Sequence, residues 1–244
     1  IMLVSVTERT QEIGVRKAPA PEGRPGFIRI DSVHQGDLDG IKGLYHINAV
    51  DCVTQWQVVA SVQTISEAHL LSVIEQLLAQ FPFEILGFHA DNGSEYVNHK
   101  VARLLDKLRI EFTRSRPRHS NDNGLAETKN GAVVRKEFGY AHIHRRHAAR
   151  FDTYCREYLN PFLNFHRPCL FATEVADPKK PGRIKRVYRP RDAMTPLDKL
   201  ASLPNAASFL RPGVTLLELQ QLARALSDVQ AAQELNEARA ALFR

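Results

Sequence analysis

The sequence predicts an α/β fold built on a mixed sheet. Three strand-like segments come first, two helical patterns then alternate with two more strands, and a third helix follows. With 244 residues the chain can bury one full core and still carry a second small module.

The first three strands are expected to form an antiparallel meander. They are rich in Val, Ile and Tyr with partial alternation, and Gly36, Gly40 and Gly43 punctuate the first connection. The segments are Phe27–Asp31, Tyr45–Asp51 and Gln57–Val62.

Helices and strands should then alternate, which gives the order βββαβαβα. A helix capped by Ser66 carries apolar residues at helical spacing, and Phe81-Pro82 ends it. The remaining elements are strand Glu84–His89 with an Asn92-Gly93 turn, helix Val97–Leu108, strand Arg109–Thr113, and a helix from near Asn121–Gly124 to about Phe138.

Beyond Tyr140 the patterns are weaker. Phe151–Phe165 reads as one or two helices, Lys179–Arg191 as a loop or a pair of short strands, and Thr215–Leu242 as helical. We therefore divide the chain into residues 1–18, a linker at 19–26, a core at 27–150 and an extension at 151–244 that includes the basic segment 179–191 and a terminal helix.

Charge favours a polyanionic partner. The formal net charge is +6, and Lys100–Arg150 holds 13 basic against 5 acidic residues. Solvated surface charge is the alternative. The three cysteines lack metal-ligand spacing and read as reduced thiols. No stretch is long and apolar enough to cross a membrane and no signal peptide is evident, so a cytoplasmic protein without a membrane partner is expected.

Three acids are candidate metal ligands. Asp31 and Asp91 close strands, and Glu127 lies about one turn into a helix. Hard carboxylate oxygens at one sheet edge suit two divalent cations for phosphoryl transfer. Singly, each acid has a structural alternative: a turn former at Asp31, an Asx turn at Asp91 and a helix-dipole charge at Glu127. Asp51, which ends the second strand, is the main competing acid.

The spacing of the acids and the sequence motifs around them resemble the catalytic core of DDE integrases and transposases. There are 59 residues between Asp31 and Asp91 and 35 between Asp91 and Glu127. The likeness runs from about Pro25 to Tyr140, and its most specific pieces are the blocks at 91–96 and 115–124. Residues 160–242 are similar to the tail of bacterial insertion-sequence transposases.

This resemblance implies a ribonuclease-H-like fold and an enzyme that cuts DNA 3′ ends and transfers strands. It also implies two Mg²⁺ ions, with Mn²⁺ as a substitute. Asp31 is then expected to bridge both ions, with Asp91 completing one site and Glu127 the other. The implied partners are element-end and target DNA, held by a homodimer or higher oligomer.

Candidate DNA-binding residues lie on the polar loop before the third helix and on that helix. Arginine suits phosphates, and small polar residues allow loop movement. The candidates are Arg114, Arg116, Arg118, Asn121, Asn123, Lys129, Asn130, Arg135 and Lys136. Surface solvation is the alternative for the basic ones. His34 and His89 flank the acids and are expected to pack or to support them, because no zinc-type spacing exists.

Two other functional readings remain open. One is a ribonuclease-H-like nuclease without strand transfer, and the other is a silent, DNA-binding remnant of a mobile element. Residues 1–18 resemble a juxtamembrane fragment of macrolide-exporter-type ABC transporter permeases. Since only 24 residues precede Pro25, recognition of element ends is expected to need a further module.

Overall fold

A mixed sheet forms the centre of the molecule. The computed structural model describes residues 14–15, 19–65, 67–91, 99–118, 122–176 and 182–244. Of the sequence expectations, the Ser66 cap, the Asn92-Gly93 turn, Asn121 and nearly all of residues 1–18 lie outside these ranges.

The strands of the sheet are β1 Gly14–Val15, β2 Phe27–His34, β5 Tyr45–Asp51, β6 Gln57–Val62, β7 Gly87–Ala90 and β8 Glu111–Arg114, and a small hairpin consists of β3 Asp37–Leu38 and β4 Ile41–Lys42. The sheet order is β1-β8-β7-β2-β5-β6. β2, β5 and β6 are antiparallel neighbours, whereas β7 runs parallel to β2 and β8, and β1 runs parallel to β8. The predicted meander and the ribonuclease-H-like mixed five-strand sheet are confirmed, and the two residues of β1 extend it.

Helices cover the sheet and fill the second half of the chain. They are α1 Glu67–Leu78, α2 His99–Lys107, α3 Gly124–Lys129, α4 Arg135–Phe138, α5 Ala148–Tyr154, α6 Pro196–Ala201, α7 Leu216–Arg224 and α8 Asp228–Leu242. A π-helical turn, Asn130–Val134, joins α3 to α4, so the predicted third helix is one continuous rod with a widened middle. The predicted helical stretch after Thr215 is two helices, each with its own capping box at Thr215 and Ser227.

The helix that begins with α5 protects the open edge of the sheet. It continues through π-helical turns to His166. The amide of Asn164 accepts from the Gln57 backbone N–H (2.8 Å) and donates to its carbonyl (2.7 Å). Asn160 makes the same pair of bonds with Val59, at 2.9 and 3.0 Å. These side chains replace the missing neighbour strand, which satisfies edge groups that would otherwise be buried without partners or free to pair with another chain.

The basic segment near residue 185 forms a long β-hairpin. β9, Cys169–Ala176, pairs antiparallel with β10, Ile184–Met194. The sequence reading placed a loop or a pair of short strands within 179–191. Only β10 begins in that segment, and it runs on to Met194, whereas its partner β9 lies before the segment.

Two hydrophobic clusters lie on opposite sides of the sheet. One joins Ile28, Ile30 and Phe88 to α1, α2, α6 and α7, and the other joins Leu44 and Val59 to α4, α5 and α8. Leu200 and Leu235, from the predicted extension, are buried in these clusters. Residues after 150 therefore share their cores with the sheet. None of the helices in the described ranges is long and apolar enough to cross a bilayer.

Candidate active site

The strand register puts Asp31 beside Asp91. Ile30 of β2 pairs with Ala90 of β7 in parallel, and each acid is the next residue along its strand. Neighbouring strands lie about 4.8 Å apart, so the two backbones present their acids side by side at the edge of the sheet where β7 ends. Asp31 is half-buried and Asp91 is exposed.

Glu127 lies on a helix that is bonded to the same edge. Asn130 Nδ2 donates to Asp31 Oδ2 at 2.7 Å, and Asn123 Nδ2 donates to the Ile30 carbonyl at 2.9 Å. Because residues three apart share a helix face, Glu127 projects from the face that carries Asn130. Glu127 is exposed, in the first turn of α3.

A chain of amide side chains fixes Asn130 in place. Gln57 Nε2 donates to Asn48 Oδ1 (2.8 Å), and Asn48 Nδ2 donates to Asn130 Oδ1 (2.9 Å). Asn48 also donates to the Ala126 carbonyl at 3.2 Å. Since each amide accepts on oxygen and donates on nitrogen, the chain sets the direction of Asn130 and leaves its N–H for Asp31. The carboxylate of Asp31 is thus oriented by a chain of buried amide side chains.

The donor chemistry fits a divalent cation. Asp31 and Asp91 supply hard oxygen donors side by side, and Glu127 supplies a third carboxylate on the helix that is bonded to Asp31 through Asn130. Across the described residues, no three His, Cys, Asp or Glu side chains stand close enough to form a ready ligand set. The edge therefore offers two adjacent acids and a third on a neighbouring helix.

Asp51 has a structural environment. It is fully buried, and its Oδ1 accepts from the Gly26 backbone N–H at 2.7 Å. Its Oδ2 accepts from the Val53 and Thr54 backbones and from the Thr54 hydroxyl. Burial raises the pKa of the Asp51 carboxyl, against the opposing effect of these hydrogen bonds. The carboxylate ties the linker to the β5–β6 turn and has no open coordination position.

The two histidines near the acids have packing roles. His89 is buried, and its ring nitrogens lie 2.8 Å from Thr113 Oγ1 and 3.2 Å from Ser115 Oγ. Burial, and then the charge of Arg29, lowers the pKa of His89 to about 4. His34 lies 3.1 Å from Asp37 Oδ2 on the surface hairpin. His89 joins β7 to β8 just below Asp91.

The loop arginines differ in their freedom. Arg116 donates to both carboxylate oxygens of Asp122 at 2.9 Å, a two-pronged pair that spans the loop. Arg114 is half-buried, and its Nε finds no partner among the described residues. Arg118 is exposed with a φ of 63°, whereas Asn123 is buried. Arg118 is therefore the accessible cation of this loop.

The candidate residues on the helix also divide. Lys129 is half-buried with Nζ 3.2 Å from Cys169 Sγ. Arg135 donates to the His34 carbonyl at 3.2 Å and lies over the Tyr140 ring. Lys136 is exposed, and Asn130 is buried against Asp31. Asn130 thus supports an acid instead of facing solvent.

Sequence reasoning missed Asn48 and Gln57. Both are buried polar residues within strands whose neighbours are apolar. A buried amide has to find partners, so polar residues in an otherwise apolar strand pair were the available signal. Asn130, which accepts from Asn48, is 82 residues further along the chain, and the pattern alone does not reveal this contact.

This arrangement is an α/β domain of ribonuclease-H-like class with two acids on adjacent parallel strands. Asp91 directly follows β7, whereas Asp31, which was expected to end its strand, lies within β2, which runs on to His34. Residues 23–120 match the family model of the integrase core domain. The resemblance to a DDE integrase-like core is confirmed for that region, which contains Asp31 and Asp91 and ends before Glu127. The permease likeness of residues 1–18 stays a prediction.

Other proteins share parts of the chain. It is 31% identical over 120 residues to the uncharacterized protein y4rM of Sinorhizobium fredii (strain NBRC 101917 / NGR234), which covers 49% of this chain and 34% of that protein. The chain thus spans about a third of that relative.

Solved structures of viral integrases overlap with about half of the chain. The HTLV-2 integrase catalytic core domain in complex with magnesium, in its dimeric form, is 16% identical, with a TM-score of 0.38, covering 47% of this chain and 70% of that one. A chain of the simian T-cell lymphotropic virus intasome in complex with PP2A regulatory subunit B56 gamma is 17% identical, with a TM-score of 0.41, covering 50% and 42%.

Proposed function

We propose that this chain is the catalytic part of a metal-dependent DNA transposase or integrase. The single observation that carries the proposal is the pairing of Ile30 with Ala90, which makes Asp31 and Asp91 neighbours at one sheet edge. The hydrogen bond from Asn130 to Asp31 supports it, because that bond ties the helix of Glu127 to the same edge.

Asp31, Asp91 and Glu127 would hold two Mg²⁺ ions, with Mn²⁺ as a substitute. When bound, such ions supply charge stabilisation to the attacking and leaving oxygens of an in-line displacement at phosphorus. The remaining contributions come from the chain. Asn130 orients the Asp31 carboxylate, and the exposed cations Arg118 and Lys136 would contact DNA phosphates.

The proposed chemistry has two displacements. In the first, a water oxygen bonds to phosphorus at the element end and loses its proton, and the P–O3′ bond breaks to give a 3′-hydroxyl. In the second, that hydroxyl oxygen bonds to a target phosphorus and loses its proton, and the target 3′-oxygen leaves and is protonated. One phosphodiester is exchanged for another, so no external energy source is needed in the second step.

A joining assay tests the proposal. The protein would be incubated with Mn²⁺, a supercoiled plasmid and a pool of randomised duplexes that end in a recessed 3′-hydroxyl. Joined molecules, recovered by amplification across the junction, are the expected result. Nicking without joining would favour a nuclease, and binding with neither would favour a silent remnant.

Asp91→Asn is the matching variant. It keeps shape and volume but removes a charge, so we expect joining to be lost while folding and DNA binding stay near wild type. Asp39→Asn is the control, because Asp39 is exposed on the β3–β4 turn. Full joining by the Asp91 variant would reject the assignment.

We further propose that the chain acts as a dimer or larger assembly on two element ends. The supporting reason is geometric, since joining both ends of an element to nearby target positions needs two active sites. Analytical ultracentrifugation with and without the duplex pool would measure this. A monomer in both conditions, with joining intact, would refute it.

A further inference from the structure

We propose that the ribbon formed by β9 and β10 is a binding surface for double-stranded DNA. The inference deepens the proposed function, on which it rests, because it names the part of the chain that grips the substrate. None of the candidate DNA contacts described above lies on this ribbon.

The ribbon is a two-stranded sheet with a pronounced irregularity. Ile184 pairs with Ala176 and Tyr188 with Ala172, but Ala193 then pairs with Leu170. Residues 189–192 therefore oppose a single residue of β9. Such a bulge bends and twists a strand pair, and bulges are found where a strand re-aims its side chains.

One face of the ribbon is open. Cross-strand partners point to the same side, so Ile184, Arg186 and Tyr188 share a face with their small or charged partners on β9. Ile184 is 65% exposed and Tyr188 is 60% exposed. An isolated two-stranded hairpin is at best marginally stable in water, so a ribbon that leaves such residues open gains from a partner.

The charge of the ribbon identifies the partner. The two strands carry four basic and two acidic side chains, Lys185, Arg186, Arg189 and Arg191 against Glu174 and Asp192, and Arg183 directly precedes β10. The acids are already engaged, since Glu174 lies 3.4 Å from Arg186 and Asp192 accepts from Thr173 at 2.8 Å. Within the described part of the chain, Arg183, Lys185 and Arg189 have no carboxylate at ion-pair distance. Lys185 points to the face opposite Ile184, so these cations flank the open face, and a polyanion complements the ribbon as a whole.

The shape fits a duplex. Two strands about 4.8 Å apart form a ribbon that the roughly 12 Å wide major groove of B-DNA admits. Exposed Tyr188 and Ile184 supply apolar contact, while the arginines reach the flanking phosphates.

The base of the ribbon is attached to the helix of the candidate site. Lys129, two residues after Glu127 in the chain, has its Nζ 3.2 Å from the Sγ of Cys169, which is the first residue of β9. Arg167, just before β9, donates to the Ala132 carbonyl at 3.1 Å in the π-helical turn. DNA held by the ribbon therefore lies against the same helix that presents Glu127.

The test is the salt dependence of DNA binding. Fluorescence anisotropy of a 30-base-pair mixed-sequence duplex would be measured in EDTA, so that binding is separate from any metal-dependent chemistry. Removing three phosphate contacts in Arg183→Gln/Lys185→Gln/Arg189→Gln should reduce the slope of log K against log salt by about 2 to 3. Affinity at low salt should fall at least about tenfold.

The control variant makes the same change in charge elsewhere. Arg156, Arg224 and Arg244 are exposed basic residues on the helical part of the chain. Replacing all three with Gln should leave the slope within about one unit of wild type. A ribbon variant that binds the duplex like wild type, or a control that loses as much, would overturn the proposal.

A photo-crosslink provides a second readout that does not depend on charge. Benzoylphenylalanine replaces Tyr188 in one variant and Phe243, which is 53% exposed on the last helix, in another. Crosslinking to the duplex is expected from position 188 and not from 243. No crosslink from position 188 would reject the ribbon as a DNA surface. Crosslinks with intact binding but no joining would leave the ribbon standing and reject the proposed catalysis.

Discussion

Asn130 Nδ2 lies 2.7 Å from Asp31 Oδ2, and this contact joins residues 99 positions apart in the chain. It connects the central strand of the sheet to the helix that carries Glu127. The bond thereby fixes the position of that helix relative to β2. The first prediction concerns this bond.

Asn130→Ala should weaken the site and the fold together. The buried amide of Asn48 would lose one of its two acceptors, and Asp31 would lose the donor that comes from the helix, so a loss of about 1 to 3 kcal/mol in the free energy of unfolding is expected. Under the proposed function, Mn²⁺ affinity should fall about 10- to 100-fold, as for other groups that orient metal ligands. Urea unfolding and calorimetric titration with Mn²⁺ measure the two effects.

Asn236→Ala is the control, because Asn236 is exposed on α8. It should change stability by no more than about 0.5 kcal/mol. If Asn130→Ala keeps wild-type Mn²⁺ affinity while losing stability, the amide is structural and does not orient the acid.

The second prediction addresses the protected sheet edge. Asn164→Leu removes both hydrogen bonds to Gln57 and leaves a buried N–H and C=O without partners, so about 1 to 3 kcal/mol of stability should be lost. Loss of this cover also exposes an edge that can pair with another chain. Urea unfolding and light scattering on warming measure the two consequences.

The same substitution at Asn236 gives the comparison, since Asn236 is exposed on α8. We expect it to leave the unfolding midpoint nearly unchanged. Equal losses at positions 164 and 236 would show that the amide contacts with β6 do not stabilise the edge.

Sequence patterns predicted the sheet better than they predicted its surroundings. The meander could be predicted because β2, β5 and β6 are rich in β-branched residues and because glycines mark the turn between the first two strands. Asn160 and Asn164 gave no such signal. Their bonds to β6 form only after the helix has docked, and amides on a helix read as solvent-facing when taken locally.

The candidate site shows the same division. Asp31, Asp91 and Glu127 were named from the resemblance in spacing and flanking motifs, and the pairing of β2 with β7 brings the first two onto adjacent strands. The role of Asn130 was assigned to DNA contact because its helix face was known but its neighbours were not. Its burial beside Asn48 follows from tertiary packing, as does the length of β10, which runs through Pro190, a residue that argues against a strand in sequence.

The third prediction is a pH dependence that originates at His46. Its Nδ1 lies 2.9 Å from Ser61 Oγ, and its ring stacks on Phe138 with centroids 4.1 Å apart. Burial, and then the charge of Arg135, lowers the pKa of His46 from 6.5 to about 3. Between pH 3 and pH 6.5, His46 is therefore mostly protonated in the unfolded chain and mostly neutral in the folded chain. The contribution of His46 is complete above pH 6.5 and is lost as the pH falls toward 3.

Over that window the free energy of unfolding should fall by up to about 1.4 kcal/mol per pH unit from this residue. His89, with a pKa of about 4, adds to the slope between pH 6.5 and 4. His46→Gln should flatten the profile when urea unfolding is compared at pH 7.5 and 4.5. Ser61→Ala is the control, because it removes the hydrogen-bond partner but keeps the imidazole. It should lower stability at both values with the slope retained, and an unchanged slope in His46→Gln would contradict this assignment.

The last prediction tests a close backbone approach behind β2. A Cβ built on Gly43 would lie 1.9 Å from the Gln35 carbonyl oxygen and 2.7 Å from that of Ile143, so the backbone has to move. Gly43→Ala should therefore cost about 1 to 3 kcal/mol in the free energy of unfolding, because the crowded atoms belong to the main chain and cannot rotate away.

The same change at Gly131 meets nothing within 4 Å. There, alanine favours the helical backbone, and stability should stay level or rise by up to about 1 kcal/mol. Urea unfolding of the two variants decides the matter: equal effects, or a tolerant position 43, would mean that the segment after α4 can withdraw from β2 at little cost.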